Sequence, residues 1–556
     1  MFQDAGGQRM PLQAASIAEA LELLLSSTAS ARALIGRGWG WMRSLLVVPV
    51  VRVAVLLCLV MSVMMLVEKL SMGVISLFVK LARRSPDRVH RWQPLTLVSA
   101  TDEEMGMENG NHQQQSSFFP MVLVQIPMYN EKEVYQKSIG AACDLEWPSD
   151  RIIIQILDDS TDPFIKDLVK TECERWHKMG KSIKYETRNN RHGYKAGALK
   201  EGMKHSYVQS CEFVAIFDAD FQPSSDFLMR AMPFLIHNPD IGLVQARWRF
   251  VNANECLMTR VQEMSMDYHF KVEQESGSSA AAFFGFNGTA GVWRIMALNE
   301  AGGWKERTTV EDMDLAVRAS LGGWKFLYVG NIQVKSELPS TFKAYRHQQH
   351  RWACGPANLF RKMLTDIVHA KKVSFWRKCH VLYNFFIARR IISHCVTFFS
   401  YCVVIPLSVF FEEVEVPKWA VFYVPTIITL LNSVGTPSSF HLIVVWVLFE
   451  NVVSLHRCKA VFIGLLEVGS VNEWVVTEKL GDMLKAEPTV NIRSKVQMKL
   501  SDRFHFWELG IGLYLFVCAC YDYSYCKDRY FLYIFPQSIS FLIMGFGYVG
   551  TFVQNG

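Results

Sequence analysis

Apolar and polar positions divide the chain into three regimes. From about Leu45 to Val67 nearly every residue is apolar, a run long enough to cross a bilayer as one helix. Arg52 interrupts it near one end, where its head can snorkel to the interface. The run is too long, and too far from the start, for a cleaved signal peptide. Residues 1–40, with their Ala and Ser runs, predict a weakly ordered amphipathic segment. Residues 69–92 (Lys69, Lys80, Arg83, Arg84, Arg88) predict a basic interfacial stretch, and the acidic, Asn- and Gln-rich residues 101–118 a surface loop.

From Met121 short apolar runs alternate with helix-like ones. MVLVQI (121–126), IIIQIL (152–157), KSIKYE (181–186) and FVAIF (213–217) predict strands. Segments after Asn130, from Pro163 to Lys178 and from Lys195 to about Gln209 predict helices. Apolar strands separated by helices predict an α/β domain with a mostly parallel sheet covered on both faces. Ligands gather at the carboxyl ends of such strands. Asp158 and Asp218 each directly follow an apolar strand, so both are expected in one crevice.

After Val373 the mix of aromatic and basic residues in FWRKCHVLYNFF predicts an interfacial helix. Apolar runs at 391–411, 418–434, 440–456, 505–521 and 530–553, interrupted by Pro425, Gly435 and Pro437, predict four or five membrane helices. The polar stretch 470–500 is expected on the membrane face. The predicted organisation is an N-terminal segment (1–44), a span (45–67), a linker (68–118), a catalytic-type domain (119–370), an interfacial helix (371–390) and a membrane region (391–556).

Composition supports this division. Hydrophobic residues are 50% and mean hydropathy is +0.12, high for a soluble chain and low for a bundle of spans alone. The mild net charge of +6 argues against a nucleic-acid partner and for a basic face near membrane lipid. The thirteen Cys form no C-x-x-C, which excludes a zinc site or disulfide framework of the usual spacing; Cys58, Cys395 and Cys402 lie in apolar runs as buried thiols. Basic residues after the first span slightly outnumber Arg32, Arg37 and Arg43 before it, which favours a cytosolic over a lumenal domain.

The candidate chemistry lies in the middle region. In Asp218-Ala219-Asp220, residues two apart on a strand share a face, so both carboxylates can meet one hard cation, Mg²⁺ or Mn²⁺, that bridges substrate phosphates. The bland alternative is a solvated turn. Asp158-Asp159 ends a strand; either carboxylate can accept hydrogen bonds from a base or ribose, with Asp158 favoured, while Asp159, Ser160 or Asp162 can cap the next helix. His192-Gly193-Tyr194-Lys195-Ala196-Gly197 opens a helix whose N–H groups, with Lys195, can hold phosphate.

Glu311-Asp312 begins a helix-like run and can supply the base that deprotonates a sugar hydroxyl, with Asp314 a second candidate. One base and one displacement invert the anomeric carbon. An acidic first turn that suits the helix dipole is the competing account. Gln348-x-x-Arg351-Trp352 offers a fixed cationic fork and a flat apolar face for a pyranose, or simply a basic interfacial helix with a Trp anchor. Phe283–Gly291 is an aromatic, glycine-rich loop whose Asn287-Gly288-Thr289 also spells a glycosylation sequon, expected to be buried.

Together these residues resemble the family 2 processive glycosyltransferases, the group of cellulose, chitin and hyaluronan synthases. The resemblance covers about residues 120–370 in detail and the flanking spans in outline. QIPMYNE, LDDSTD, HGYKAGAL, FFGFNGTAG and VNEWVVTEKLG are most similar to the plant cellulose-synthase-like A proteins, which make β-1,4-mannan or glucomannan backbones. The N-terminal Cys cluster and large insertions of plant cellulose synthases are missing; about ninety residues separate Asp220 from Asp312. The sister C group, xyloglucan-backbone β-1,4-glucan synthases using UDP-glucose, shares most of these phrases and is the nearest alternative. Lipid-linked single-sugar transferases usually lack Q-x-x-R-W, and a transporter would bury its acids within the spans.

The resemblance implies a GT-A (Rossmann-like) catalytic domain in a multi-pass Golgi membrane protein. It implies GDP-mannose and GDP-glucose as donors, a growing β-mannan acceptor, Mg²⁺ or Mn²⁺ as cofactor, and a second copy or accessory protein as partner. By the same resemblance Asp158 contacts the nucleotide, Lys195 the diphosphate, and Asp218 and Asp220 flank the diphosphate and hold the metal. Asp312 is the base for the acceptor 4-hydroxyl, and Gln348, Arg351 and Trp352 lie beside diphosphate and acceptor. The membrane helices form an exit path for the chain.

Overall fold

The computed structural model describes residues 36–95, 119–433, 435–468, 504–525 and 529–548. The phrase VNEWVVTEKLG, the stretch 470–500, the loop 101–118 and most of residues 1–40 lie outside the described residues.

Seven strands form one sheet: β1 (Val122–Met128), β2 (Ile152–Asp158), β3 (Ile183–Thr187), β4 (Phe213–Ile216), β5 (Ile241–Phe250), β6 (Gly291–Arg294) and β7 (Lys325–Ser336). The first four are those the apolar runs predict. The order is β3-β2-β1-β4-β6-β5-β7. Pairs β1–β2, β1–β4, β2–β3 and β5–β7 are parallel; β6 runs antiparallel between β4 and β5. The fold is thus GT-A, a mixed, mostly parallel sheet.

Strand alternation sends Val122, Val124 and Ile126 into one core and Leu123 into the other, on opposite faces of β1. Each such side chain, fully buried, contributes roughly 1.5–3 kcal/mol. The reversal at β6 matters for the site. Gly291 pairs with Ile216, the last residue of β4, so the aromatic, glycine-rich loop arrives at the carboxyl end of β4. There Ala290 N–H donates to Ile216 O (2.8 Å) and Asp218 N–H donates to Thr289 Oγ1 (2.9 Å). Thr289, the third residue of the sequon, is fully buried in this joint.

Among the described residues, three helices are long and apolar enough to cross a membrane: Gly36–Leu81, Phe375–Ser408 and Ser439–Leu466. Helices Trp419–Ser433, Phe506–Tyr525 and Phe531–Gly545 complete the region where the apolar runs predict spans. The first helix outlasts the apolar run that announces it. The basic residues from Lys69 to Lys80 are not a separate interfacial stretch; they stand on the catalytic domain, with Lys69 Nζ 3.0 Å from Glu273 Oε1 and Ser76 Oγ donating to Glu275 Oε2 (2.8 Å). Glu273 pairs with Lys69, and Glu275 with the half-exposed Lys80 at 3.4 Å. The interfacial helix expected at 371–390 is likewise the first part of Phe375–Ser408, which continues unbroken into the bilayer-length segment.

Candidate active site

A cavity of about 440 Å³ opens at the carboxyl ends of β1 and β4. Lys195, Asp218, Asp220, Asp312, Gln348, Arg351 and Trp352 all line it, although they come from four separate stretches of the chain. Each is placed by a local cause. The helix Tyr194–Gly202 starts after Gly193, whose φ of +69° suits glycine and turns Lys195 toward β4. Lys195 Nζ donates to Asp218 Oδ1 (2.5 Å) and to Gly288 O (2.9 Å), tying the helix to β4 and to the aromatic loop. Ser336 Oγ, at the end of β7, donates to Asp220 Oδ2 (3.2 Å).

The helix Glu311–Leu321 places its first two residues on the same cavity. Burial raises the Asp312 carboxyl above the usual range, against the pull of Lys195 and the Met313 N–H. Burial and the neighbouring Asp312 raise Glu311 further. The two carboxyls share one buried site, and both are held above the ordinary carboxylate range. Asp314, the second candidate base, is fully buried and held by Arg307 (2.5 Å) and Arg318 (2.9 Å). It is a brace for the helix and does not reach the cavity.

The helix Phe342–His369 carries Gln348, Arg351 and Trp352 across the cavity from the sheet. Burial lowers the Arg351 pKa, and the charges of Glu311 and Asp218 offset that loss. Arg351 thus faces both carboxylates.

Asp158 departs from expectation. It is buried, with its oxygens accepting from Ser160 N–H (2.9 Å) and Tyr185 Oη–H (2.8 Å). It shapes the turn after β2 beneath the cavity wall and does not line the cavity. Strand alternation is the reason: the next residue, Asp159, faces the other way and lines it. Asp159 pairs with Arg188 through both oxygens (2.6 and 2.5 Å), and Arg188 also donates to His192 O and Tyr194 O (both 2.7 Å), fixing the loop before Lys195.

Other lining residues were not legible as site residues. Arg191 lies 3.2 Å over the Tyr129 ring at one end of the cavity. At the other end Tyr345, Gln349, Glu450 and Arg457 line it. Arg457 donates to Gln349 Oε1 (2.7 Å) and Tyr345 Oη (2.9 Å) and is paired with Glu450. A carboxylate and a guanidinium seven residues apart inside an apolar run were the available signal, since charges within a span cost free energy and mark function.

Two carboxylates at one strand end suit a hard cation that completes its shell with substrate phosphates. Among the described residues no cluster of three or more His, Cys, Asp or Glu is placed to hold a metal by itself. The donor set of Asp218 and Asp220 therefore fits a cation that arrives with a diphosphate.

Gly288 abuts Asp312 and Lys195. Its φ is +80°, and a Cβ there would lie 3.0 Å from Asp312 Oδ2 and 3.3 Å from Lys195 Nζ. Gly288→Ala should lower turnover by up to about 10²-fold, the cost of misplacing a reacting group by about 1 Å, because the Cβ presses on Asp312 and Lys195 and the positive φ disfavours alanine. Nucleotide binding, read by calorimetry, should stay near that of the parent; unchanged turnover would show that the close approach carries no catalytic weight.

A sheet of this order, with carboxylates at its strand ends and joined to helices long and apolar enough to span a membrane, is that of a glycosyltransferase of the GT-A fold. Residues 123–289 match the model for glycosyl transferase family 2, and residues 213–434 that for glycosyl transferase family group 2. The probable glucomannan 4-beta-mannosyltransferase 9 of Oryza sativa subsp. japonica is 62% identical over 93% of this chain and 97% of its own length. Glucomannan 4-beta-mannosyltransferase 9 of Arabidopsis thaliana is 62% identical over 92% of this chain and 94% of its own. Among solved structures, a mannosyltransferase from Pyrobaculum calidifontis in complex with GDP-Man and Mn²⁺ aligns with 74% of this chain and 100% of its own, at 16% identity and a TM-score of 0.47. The chain belongs to the glucomannan 4-beta-mannosyltransferase family.

Proposed function

We propose that this protein polymerises the β-1,4-linked backbone of mannan or glucomannan from GDP-mannose, and from GDP-glucose, by inverting transfer at the Golgi membrane. The observation that carries this reading is the convergence of Lys195, Asp218, Asp220, Asp312, Arg351 and Trp352 on one cavity that continues to Glu450 and Arg457 of a membrane helix. The diphosphate takes over Lys195 from Asp218 and meets Arg351 from the opposite wall. Asp218 and Asp220 would hold Mg²⁺ or Mn²⁺, which when bound would supply positive charge to offset that of the diphosphate.

Asp312 accepts the proton of the acceptor 4-hydroxyl as the oxygen attacks the anomeric carbon, and the bond to the diphosphate breaks. Glu311 retains its own proton and leaves the negative charge on Asp312. Trp352 offers the acceptor sugar an apolar face. The nucleotide lies toward Asp159, Arg191 and Tyr129, so Asp158 acts by holding that wall. The polymer leaves between the membrane helices.

Membranes containing the protein should turn labelled GDP-mannose with Mg²⁺ or Mn²⁺ into a polymer digested by β-mannanase. Polymer formed only from UDP-glucose and digested by β-glucanase would replace this reading with a glucan synthase.

A further inference from the structure

Asn287, next to Gly288 on the cavity wall, is held by a chain of polar contacts that starts in the first membrane helix. Gln274 Nε2–H donates to Gly285 O (3.1 Å), and because a carbonyl only accepts, this fixes which end of the Gln274 amide is nitrogen. The same nitrogen donates to Asn287 Oδ1 (3.0 Å), which fixes the Asn287 amide in turn. His269 Nε2 lies 3.2 Å from both Gln274 Nε2 and Asn287 Oδ1; with both Gln274 hydrogens taken by Gly285 O and Asn287 Oδ1, it is left to donate to Asn287 Oδ1, while its Nδ1 faces Glu273 Oε2 (3.0 Å). Glu273 Oε1 is bound by Lys69 Nζ of the first membrane helix (3.0 Å), and Lys69 lies 4.0 Å over the Tyr268 ring. The side chains of Lys69, Glu273 and His269 are only 12%, 12% and 20% exposed, so the chain of contacts is poorly screened by solvent.

With Oδ1 engaged twice, Asn287 is left with a buried Nδ2 donor that has no protein partner. It sits one residue from the glycine that abuts Asp312.

We propose that His269 is a positioning residue. Braced by Glu273 and by Lys69 of the first membrane helix, it holds Asn287 so that Nδ2 donates to a hydroxyl of the acceptor sugar beside the one Asp312 deprotonates. The first membrane helix is thereby part of the acceptor site as well as an anchor. This inference rests on the polymerase reading above.

The test is initial rates of mannosyl transfer from labelled GDP-mannose by the full-length protein in membranes. His269→Leu and Asn287→Leu should each lower kcat about tenfold, the scale of one lost hydrogen bond, with the KM for GDP-mannose unmoved. The double variant should be no slower than the slower single, because both remove one interaction. His269→Gln, which offers hydrogens to both neighbours, should recover kcat to within about threefold of the parent. Additive losses, a raised KM for GDP-mannose, or a His269→Leu enzyme as fast as the parent would overturn the proposal while the parent still makes polymer. A parent that transfers no mannose would remove the polymerase reading and this inference with it.

Discussion

Asp312→Asn should abolish polymer formation while GDP still binds. The substitution keeps the shape of the side chain and its hydrogen bond from the Met313 N–H (2.7 Å), and removes only the capacity to take a proton. A positioned general base contributes about 10²–10⁴-fold, and the variant should lose that factor in kcat. GDP affinity, read by calorimetry on detergent-solubilised protein, should remain within about twofold, because Lys195 and Arg351, the proposed diphosphate ligands, are left in place. Turnover close to that of the parent would remove Asp312 from the role of base. The same assignment fixes the sign of the pH response. A base works only when ionised, and burial raises Asp312. Activity is therefore present above the raised value and is lost on acidification at a pH higher than an ordinary carboxylate would give. Asp312→Glu keeps an ionisable base and should retain a pH-dependent residual rate, whereas the Asn variant should show no such limb.

Glu273→Leu destabilises the protein by about 3–5 kcal/mol, the cost of leaving a buried cation without its partner. Glu273 binds Lys69 and His269, and the charges of Lys69 and Arg389 hold its carboxyl well below the usual range despite burial. Arg389 is itself bound to Glu68 at 2.7 Å. Removing Glu273 leaves two cations against one carboxylate in a junction that little solvent reaches. The midpoint of thermal unfolding in detergent should fall sharply for Glu273→Leu. Glu273→Gln should fall less, since its amide can still accept from Lys69. A Leu variant as stable as the parent would mean that water or lipid phosphate reaches Lys69 and replaces the carboxylate.

Much of the domain was legible because its signals are local. Short apolar runs match β1, β2 and β4, since strands buried on both faces need apolar residues on both; β3, IKYET, is an edge strand in which only Ile183 is buried. The helix Pro163–Lys178 begins and ends where Asp162, Pro163 and the basic last turn place it. The strands β5, β6 and β7 carry no comparable isolated signal. IGLVQARWRF mixes charge into its second half because that half leaves the core, and four residues of β6 are too few to show a period. The site residues were legible as types, since carboxylates after strands and a cation at a helix start have few roles. Asp158 was misplaced by one residue, because the side on which a strand-end carboxylate projects depends on the twist and turn that follow it.

The order of chemistry-bearing residues, the number of apolar runs and the α/β character are determined by the sequence itself, because each follows from the periodicity and type of neighbouring residues. The antiparallel insertion of β6 that carries Gly288 to Asp312, the bond from Lys69 to Glu273 and the presence of Glu450 and Arg457 at the far end of the cavity were decided only by the tertiary structure. Each joins residues dozens to hundreds of positions apart. No local preference encodes such a pairing; packing selects it, through the requirement that buried charges and amides find partners.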